Sequence, residues 1–377
     1  MHPSYAIINL SNLKRNFLNI RNKVKDKKIM AVVKAEAYGH GMVECAKYLE
    51  SIGNKRPDYF SVAFPKEGEK LRKAEIKKPI LVFEPFSKRQ VHLLFKYNLI
   101  ATIFNLEHLK ILEWGLEKYY PNKISKPKIK IHIKVDTGMN RLGISEKNAL
   151  DFILKVNQKK IFHIDGIYTH FACSDEKDKS FTFLQINKFK YILNELKKLN
   201  IDYGWAHAAN SGAILDLPDS YFDMVRPGIL LYGYYPSLET KHSIVLTPVM
   251  SLYSKVASVK KIIKGDTVSY GRKFTAKKST KIISIPLGYA DGVNRNLSNK
   301  IEVIIKEKKY KQVGTITMDR FMVDIKKDNI KVDDKVIMLG KVKNNYISAW
   351  DWSNALKTIP YEITCSIGNR IPRIYKS

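Results

Sequence analysis

Cysteine is scarce in this 377-residue chain, which has three cysteines far apart at Cys45, Cys173 and Cys365. An odd, scattered set without a CxxC pair argues against a disulfide framework and against a cysteine-based zinc site. The nine histidines also show no HExxH motif and no pair spaced four residues apart. We therefore predict that the chain binds no metal ion.

Long apolar runs are also missing, because no stretch approaches the roughly 20 residues that a membrane-spanning helix requires. The beginning of the sequence, MHPSYAIINL, lacks the basic, apolar and small-residue segments of a secretory signal. We therefore expect a cytoplasmic protein without a membrane partner.

Acidic residues are few beside the basic ones, with 36 Asp and Glu against 66 Lys and Arg and a net charge of +30. Such a charge is typical of proteins that bind nucleic acid or anionic membranes. Here the basic residues alternate with acidic and apolar ones along the whole chain, as in KVKDKK at Lys23–Lys28. That distribution favours a lysine-rich surface over a binding groove, so we predict no specific nucleic-acid partner.

Short apolar, β-branched runs alternate with segments of helical periodicity between residue 29 and residue 228. The predicted strands are Ile29–Lys34, Tyr59–Phe64, Pro79–Glu84, Leu99–Asn105, Ile129–Asp136, Ile164–Phe171, Tyr203–Asn210 and Phe222–Arg226. Apolar residues recur every three or four positions between them, as in Leu106–Tyr119 and Phe181–Leu199, which indicates amphipathic helices. This α/β pattern predicts a (β/α)8 TIM-like barrel, and a doubly wound open sheet is the alternative with the same periodicity.

After Pro236 the pattern changes to strands joined by turns rich in Gly, Asp and Lys. The predicted strands are Val249–Ile263, Lys281–Leu287, Ile301–Ile305, Phe321–Ile325 and Lys335–Leu339, with one helix near Tyr346–Leu356. We therefore predict a barrel domain over residues 1–238 and a mainly β C-terminal domain over residues 239–377. A strand at Ile7–Leu10 is expected to precede the barrel and to pair with the β domain.

Side chains capable of chemistry fall at the ends of several predicted strands. Lys34, His170, Asn210 and Arg226 each lie at a C-terminal strand end, and Arg141 lies just beyond one. Because a barrel gathers these ends at one rim, the five residues are expected to meet there. A lysine at such a rim is partly desolvated, which lowers its pKa and favours amine chemistry. The sequence thus predicts an active site around Lys34.

The last two barrel loops predict a phosphate site. Ser211 is expected to begin a helix after the seventh strand, while Gly228 and Ile229 follow the eighth. Barrels commonly bind phosphate at this pair of loops, through free backbone amides and the positive end of a helix dipole. Gly228 suits a position where the backbone must approach the phosphate closely.

The segment Ala31–Gly41, AVVKAEAYGHG, resembles the pyridoxal-phosphate lysine motif of bacterial alanine racemases, and the resemblance covers nearly the whole chain. Further matching segments, in order, are KVDTGMNRLG from Lys134, YTHF from Tyr168, HAANSG from His207, RPGILLYG from Arg226, SYG from Ser269, GYADG from Gly288, MD from Met318 and IPYE from Ile359. So many motifs in the same order are not expected by chance. The resemblance implies a pyridoxal-phosphate-dependent amino-acid racemase on a barrel-plus-β scaffold, supplying D-alanine for peptidoglycan.

The resemblance also implies a role for each matching residue. Lys34 would hold pyridoxal 5'-phosphate as a Schiff base and act as the base for D-alanine, while Tyr270 acts as the base for L-alanine. Other cofactor-binding residues would be Tyr38, His170, Asn210, Ser211, Arg226, Gly228, Ile229 and Tyr361. Substrate binding would fall to Arg141, Met318 and Asp319.

Three finer expectations follow from the resemblance. Tyr270, Met318 and Asp319 would enter the site from a partner subunit, so the protein would be a homodimer. Lys134 would carry a carbamate that orients Arg141. Arg226 would face the cofactor ring nitrogen and, as a group that only donates hydrogen bonds, would keep this nitrogen unprotonated.

The chain departs from the family pattern at Glu36, where relatives often have Asn or Asp, and at Thr317, where a cysteine is frequent. The segment Arg272–Phe274 has no interpretation. The alternative functions are a serine or broad-specificity racemase, a pyridoxal-phosphate-dependent decarboxylase on the same scaffold, a cofactor-carrier protein and, from charge alone, a nucleic-acid binder. One extra hydroxyl on a substrate is difficult for a small pocket to exclude.

Overall fold

The computed structural model describes residues 3–121 and 127–377, and the chain forms two compact units. The barrel unit consists of Lys14–Ala37 and Met42–Thr247. The β unit consists of the chain up to Leu13, Tyr38–Gly41 and Pro248–Ser377. Three separate parts of the sequence therefore build the β unit, and a domain boundary between residues 238 and 239 stays a prediction.

The secondary-structure elements are numbered in chain order. The strands are β1 (Tyr5–Asn9), β2 (Lys28–Val32), β3 (Tyr59–Val62), β4 (Ile80–Val82), β5 (Ile100–Ile103), β6 (Ile129–Asp136), β7 (Ile144–Ser145), β8 (Phe162–Tyr168), β9 (Trp205–His207), β10 (Met224–Val225), β11 (Met250–Lys255), β12 (Ser258–Ile262), β13 (Thr280–Ile285), β14 (Glu302–Ile305), β15 (Lys308–Val313), β16 (Phe321–Lys326), β17 (Lys335–Val342), β18 (Asn345–Ile347) and β19 (Arg373–Lys376). The helices are α1 (Leu10–Val24), α2 (Met42–Glu50), α3 (Pro65–Lys73), α4 (Val91–Lys96), α5 (Leu106–Tyr119), α6 (Glu146–Asn157), α7 (Ser180–Lys198), α8 (Ser211–Asp216), α9 (Ala349–Leu356) and α10 (Pro360–Ser366).

Eight parallel strands close into a barrel in the order β5, β4, β3, β2, β10, β9, β8 and β6. The closure is made by β5 and β6, where Ala101 pairs with Ile131 and Ile103 with Ile133. The short strand β7 pairs in parallel with the last two residues of β6. The prediction of a (β/α)8 barrel is therefore confirmed, and the open-sheet alternative is wrong.

The barrel interior holds a layer of apolar side chains contributed by six strands. The layer consists of Met30, Tyr59, Leu81, Ile100, Tyr168 and Met224. Outside the strands the helices bury one face each, as in α7, where Ile186, Phe189 and Leu193 recur at helical spacing and are buried.

The β unit is built on a sheet in the order β12, β13, β16, β15, β14, β17, β11, β1 and β19, with β18 paired to β17. Its first strand in the chain, β1, lies antiparallel to β11 and parallel to β19, with Ala6 opposite both Leu252 and Arg373. The expectation that a strand near Ile7–Leu10 pairs with the β domain is confirmed.

Some predicted boundaries in the β unit are wrong. The run Val249–Ile263 is two strands, because β11 pairs with β1 and β17 whereas β12 pairs with β13. The helix predicted from Tyr346 begins at Ala349, since Ser348 accepts the Trp350 N–H and caps it. The strands β15, β18 and β19 and the helix α10 were not predicted, because lysines interrupt the apolar alternation of the first and the others are short.

Within residues 3–121 and 127–377, no helix is long and apolar enough to cross a membrane. The same part of the chain contains no group of three or more His, Cys, Asp or Glu side chains arranged to hold a metal ion.

Candidate functional site

The carboxyl ends of the barrel strands carry the predicted site residues of the barrel unit. Lys34 follows β2, Arg226 follows β10, His170 follows β8, Asn210 follows β9 and Arg141 follows β6, each within five residues of its strand. Because all eight strands are parallel, these residues lie at one rim of the barrel.

Lys34 begins a left-handed turn, Lys34–Tyr38, in which four consecutive residues have φ between 51° and 55°. Left-handed backbone costs roughly 1–2 kcal/mol per non-glycine residue, so neighbouring groups must hold this turn in place. The Ala35 N–H donates to Glu67 Oε1 at 2.7 Å, and the Ala37 N–H donates to the Val33 carbonyl at 2.9 Å. The backbone that carries Lys34 is therefore fixed by α3 and by β2.

Two carboxylates, those of Glu67 and Glu36, hold the left-handed turn in place, and we call this pair the clamp. Glu67 Oε2 also accepts from the backbone N–H groups of Ala63 and Phe64, at 2.7 and 3.1 Å. Glu36, the departure from the family pattern, accepts from Lys70 Nζ at 2.6 Å and from the Met42 N–H at 3.2 Å. The longer side chain of Glu36 thus ties the left-handed turn to α3 and to the start of α2.

Arg226 is buried, and its described hydrogen bonds end on neutral acceptors. NH1 lies 2.9 Å from His207 Nδ1, while NH2 donates to the carbonyls of Thr169 and Ala208 at 2.8 and 2.9 Å and lies 3.2 Å from His170 Nδ1. Burial lowers the pKa of Arg226 to about 10, so the guanidinium remains charged at neutral pH. Arg226 is therefore a fixed cation with a defined orientation.

His170 must be neutral in this setting. Burial, followed by the charges of Arg226 and Arg141, holds the pKa of His170 well below its usual value. Because a guanidinium has no acceptor, His170 Nδ1 must accept from Arg226 and the ring proton must lie on Nε2.

Lys134 is buried on β6 and lies near the ring of Tyr168, with Nζ 5.6 Å from the ring centroid. Burial and the charges of Arg141 and Arg226 lower the pKa of Lys134 to about 8. The guanidinium of Arg226 lies 5.3 Å from the same centroid. The Tyr168 ring therefore supports two of the cations at this rim.

Arg141 belongs to a loop that Asp136 shapes. Asp136 Oδ1 accepts from the backbone N–H groups of Gly138 at 2.9 Å and Asn140 at 3.1 Å. Gly143 has φ +130°, and a Cβ there would lie 2.7 Å from the Asp136 nitrogen, so only glycine fits. The side chain of Arg141 is exposed at the end of this loop.

The two predicted phosphate loops are joined directly, because the Gly228 N–H donates to Ser211 Oγ at 3.0 Å. Asn210 caps α8 by accepting from the Ala213 N–H at 3.1 Å, and it also accepts from Ser174 Oγ at 2.7 Å. Ile229 is fully buried and begins a 3-10 turn. The prediction that a helix begins at Ser211 is confirmed.

In the β unit, Tyr38 and Tyr361 lie together, with ring centroids 5.7 Å apart. Burial, with the nearby Cys365, raises the pKa of the Tyr38 phenol. Gly39, at φ +86°, lies so close to α10 that a Cβ would come within 2.1 Å of the Thr364 carbonyl oxygen. The two tyrosines predicted to bind phosphate are therefore neighbours in one unit.

Tyr270 lies in a strained, exposed turn of the β unit. Its neighbours Ser269 and Arg272 have φ of 67° and 52°, and its side chain is 72% exposed. Thr315 fixes the turn, since Thr315 Oγ1 donates to the Tyr270 carbonyl and Ser269 Oγ donates to the Thr315 carbonyl, both at 2.7 Å. The turn thus presents the Tyr270 phenol to solvent from a rigid base.

Met318 and Asp319 lie on a neighbouring loop of the β unit. The backbone N–H of Ala290 donates to the Met318 carbonyl at 3.0 Å, and Met318 is 53% exposed. Asp319 accepts from Arg370 NH1 at 2.9 Å. Thr317, where relatives often have cysteine, donates its hydroxyl to the Arg320 carbonyl at 2.9 Å.

Several residues of the site were not predicted. They are Glu67, His132, Asp165, Tyr168, His207 and Arg370. For His132 a signal was present, because in β6 the polar residues Lys130, His132 and Lys134 alternate with isoleucines, which indicates a polar line facing the barrel interior.

Comparison with known proteins identifies the family. Residues 8–236 match the N-terminal domain of alanine racemase and residues 249–375 match its C-terminal domain. The alanine racemase of Halothermothrix orenii is 41% identical over all of this chain and 97% of its own length, and that of Methanococcus maripaludis is 42% identical over 99% of each. The structure of the Clostridium difficile 630 alanine racemase superposes with a TM-score of 0.92 at 36% identity, over 100% of this chain and 96% of that one. The chain belongs to the alanine racemase family.

Proposed function

We propose that this protein is a pyridoxal-phosphate-dependent racemase that interconverts L- and D-alanine and supplies D-alanine for peptidoglycan. The observation that carries the proposal is Arg226, a buried cation whose hydrogen bonds to the described residues end on neutral acceptors at the rim where Lys34 lies. An arginine at the cofactor ring nitrogen can donate but not accept, so it leaves this nitrogen unprotonated. A cofactor ring whose nitrogen is unprotonated would withdraw electrons less strongly. This weaker withdrawal suits a reaction that removes and returns a single proton.

The residues at the barrel rim fit an anionic cofactor that carries an aldehyde and a phosphate. Arg141 and Arg226 provide positive charge, as their joint effect on the pKa of His170 indicates. Lys34 provides the amine to hold the aldehyde, and Ser211, Gly228 and Ile229, with Asn210 and His170, provide donors and contacts for the phosphate and the ring. Tyr38 and Tyr361, which are neighbours, would also bind the phosphate. When bound, pyridoxal phosphate supplies the electron withdrawal that makes the Cα proton of the amino acid removable.

Two residues would move that proton. Lys34 would remove it from Cα of D-alanine or return it there, and Tyr270 would do the same for L-alanine from the opposite face. Arg141, Met318 and Asp319 would hold the substrate, with Arg141 pairing with its carboxylate.

We further propose that Lys134 is carbamylated. Its amine is buried and has a pKa lowered to about 8, so a substantial neutral fraction exists at which CO2 can add. A carbamate would turn repulsion between Lys134 and Arg141 into attraction. In the presence of 13C-labelled bicarbonate, a carbamate carbon signal should form in the native protein and be missing in the Lys134→Arg variant. An identical spectrum for the two proteins would contradict this assignment.

The active form would be a cytoplasmic homodimer, in which Tyr270 of one chain completes the site of the other. The 72% exposure of Tyr270 supports this arrangement, because a catalytic phenol must be enclosed to act on a desolvated substrate.

The experiment is to incubate the cofactor-loaded protein separately with pure L-alanine, L-serine and L-lysine and to follow the optical rotation. Loss of rotation with L-alanine, without release of CO2, is expected. Equal rates with L-serine would favour the broad-specificity alternative, and CO2 release from L-lysine would favour the decarboxylase. Borohydride reduction and peptide mapping should place the cofactor on Lys34, and attachment elsewhere would overturn the proposal.

A further inference from the structure

A line of hydrogen bonds runs from Arg226 into the barrel interior. Arg226 NH1 lies 2.9 Å from His207 Nδ1, and His207 Nε2 lies 2.9 Å from His132 Nδ1. His132 Nε2 in turn lies 3.4 Å from Asp165 Oδ2. All four side chains are buried, the two histidines completely. The line therefore connects the cofactor rim to a carboxylate deeper in the barrel.

The position of each proton along this line follows from the chemistry of its members. Since a guanidinium only donates, His207 Nδ1 must accept, and a neutral His207 then carries its proton on Nε2. His207 Nε2 consequently donates to His132 Nδ1. The same rule places the proton of His132 on Nε2, which donates to the Asp165 carboxylate. Every donor on the line points away from Arg226.

The electrostatics agree with these protonation states. Burial lowers the pKa of both His132 and His207, so both rings are neutral. Burial by itself would raise the pKa of Asp165, but the hydrogen bonds from His132 and Tyr59 and the charge of Lys130 hold it below its usual value. Tyr59 donates to Asp165 Oδ2 at 2.9 Å, and Lys130 Nζ lies 3.2 Å from Oδ1. Asp165 is thus a permanent acceptor at the end of the line.

The barrel also reserves space for the line. Gly166 lies opposite His132 in the pairing of β6 with β8. A Cβ at Gly166 would come within 2.6 Å of Cε1 and 2.7 Å of Nδ1 of the His132 ring. Any larger residue would therefore displace the ring that links Asp165 to His207.

We propose that Asp165 is a positioning residue of the racemase site, which acts through His132 and His207 to hold the Arg226 guanidinium in one orientation. If Asp165 did not accept a hydrogen bond from Nε2 of His132, His132 would be able to carry its proton on Nδ1, and this N–H would then face the N–H on His207 Nε2. His207 would turn, and Arg226 NH1 would lose its acceptor. This inference rests on the proposed role of Arg226 toward the cofactor.

The first test observes the tautomers in the unsubstituted protein, and a substituted protein serves only to assign the signals. In the cofactor-loaded protein labelled with 15N-histidine, NMR at neutral pH should show His132 and His207 as Nε2–H tautomers, assigned by the signals lost in His132→Gln. A Nδ1–H tautomer, or a doubly protonated ring, at either residue would overturn the proposal.

The second test compares two substitutions of Asp165. Asp165→Asn keeps an oxygen that can accept from His132, whereas Asp165→Leu keeps the approximate volume and removes the acceptor. Asp165→Leu should change the His207 tautomer, shift the absorbance maximum of the bound cofactor and lower kcat by roughly tenfold with KM nearly unchanged, as expected for one lost buried hydrogen bond to a charged group. Asp165→Asn should restore the native tautomer and spectrum.

The matched control is Lys130→Gln, which removes the charge beside Asp165 and leaves the acceptor intact. Its tautomers and kcat should match those of the unsubstituted protein. If folded Asp165→Leu has a native tautomer, spectrum and kcat, Asp165 has no positioning role. A failure of the proposed racemase function would be distinguishable from a failure of this inference. In that case the unsubstituted protein itself would not racemise alanine or attach the cofactor at Lys34.

Discussion

At the scale of single residues, Lys134 shows how burial next to other positive charges lowers the pKa of an amine and changes its reactivity. Its amine lies inside the barrel with Arg141 and Arg226 as neighbours, and together with burial they lower its pKa to about 8. A lysine that loses its proton near physiological pH is a nucleophile as well as a base. The same shift makes the stability of the protein depend on pH.

We expect the stabilising contribution of Lys134 to rise between about pH 8 and pH 10.5 in CO2-free buffer. In that interval the unfolded chain binds a proton at Lys134 that the folded chain does not, so raising the pH favours folding by up to about 3 kcal/mol. The free energy of unfolding by urea, measured for the protein and for Lys134→Met across this range, gives the effect as a difference. A pH-independent difference would contradict the shift.

Tyr270 allows a second prediction at this scale. Tyr270→Phe removes the phenol from an exposed side chain whose backbone is fixed by Thr315, so the fold and cofactor binding should be unchanged. Racemisation should fall by about 10²–10⁴-fold, the usual contribution of a positioned acid or base. Conversion of each alanine enantiomer, followed by chiral chromatography, measures this. Near-normal rates in both directions would remove Tyr270 from the mechanism.

Single residues also mark the limit of prediction from sequence. Lys34 and Arg226 stand at strand ends within recognisable motifs, so their place at the rim could be predicted. His132 and Asp165 lie on β6 and β8, and it is the pairing of these two strands that brings them within hydrogen-bonding distance. Their link is a tertiary contact that periodicity does not encode.

At the scale of elements, the left-handed turn Lys34–Tyr38 is the least expected part of the structure. Helical propensity and strand patterning both predict right-handed or extended backbone for AEAY, so nothing local indicates φ near +53° at Glu36. The turn is stabilised from outside, because the side chain of Glu67 on α3 accepts the Ala35 N–H. By contrast, all eight barrel strands could be predicted, since apolar runs bounded by polar turns specify their existence, though not their ends.

We expect Glu67→Ala to weaken this turn. The substitution removes the acceptor of the Ala35, Ala63 and Phe64 N–H groups, and should lower the free energy of unfolding by about 1–3 kcal/mol. Cofactor affinity should fall as well, because Lys34 loses its fixed backbone; fluorescence titration of the apoprotein with pyridoxal phosphate measures it.

The control for Glu67 is Lys66→Ala, a side chain 79% exposed at the start of the same helix. Glu69, its ion-pair partner, also contacts Lys73 and Tyr97, so the change should stay below about 1 kcal/mol, with native cofactor affinity. Equal affinity and stability in Glu67→Ala and Lys66→Ala would show that the clamp is dispensable.

At the scale of the whole molecule, the two compact units carry different halves of the proposed chemistry. Lys34, Arg141, His170 and Arg226 belong to the barrel unit, while Tyr270 belongs to the β unit. If Tyr270 completes the site of a second chain, no single chain holds a working site, and two inactive variants should restore each other.

The proposed exchange of Tyr270 predicts that Lys34→Ala and Tyr270→Phe complement one another when they are produced together. A heterodimer contains one site with both bases and one site with neither. Random pairing makes half of the dimers mixed, so a quarter of the sites, and about a quarter of the normal activity, should return. The activity of the co-produced protein, separated by two different affinity tags into its homodimers and heterodimer, measures this directly. If Lys34 and Tyr270 acted within one chain, every site in the mixture would lack one base, and the heterodimer fraction would be as inactive as either parent.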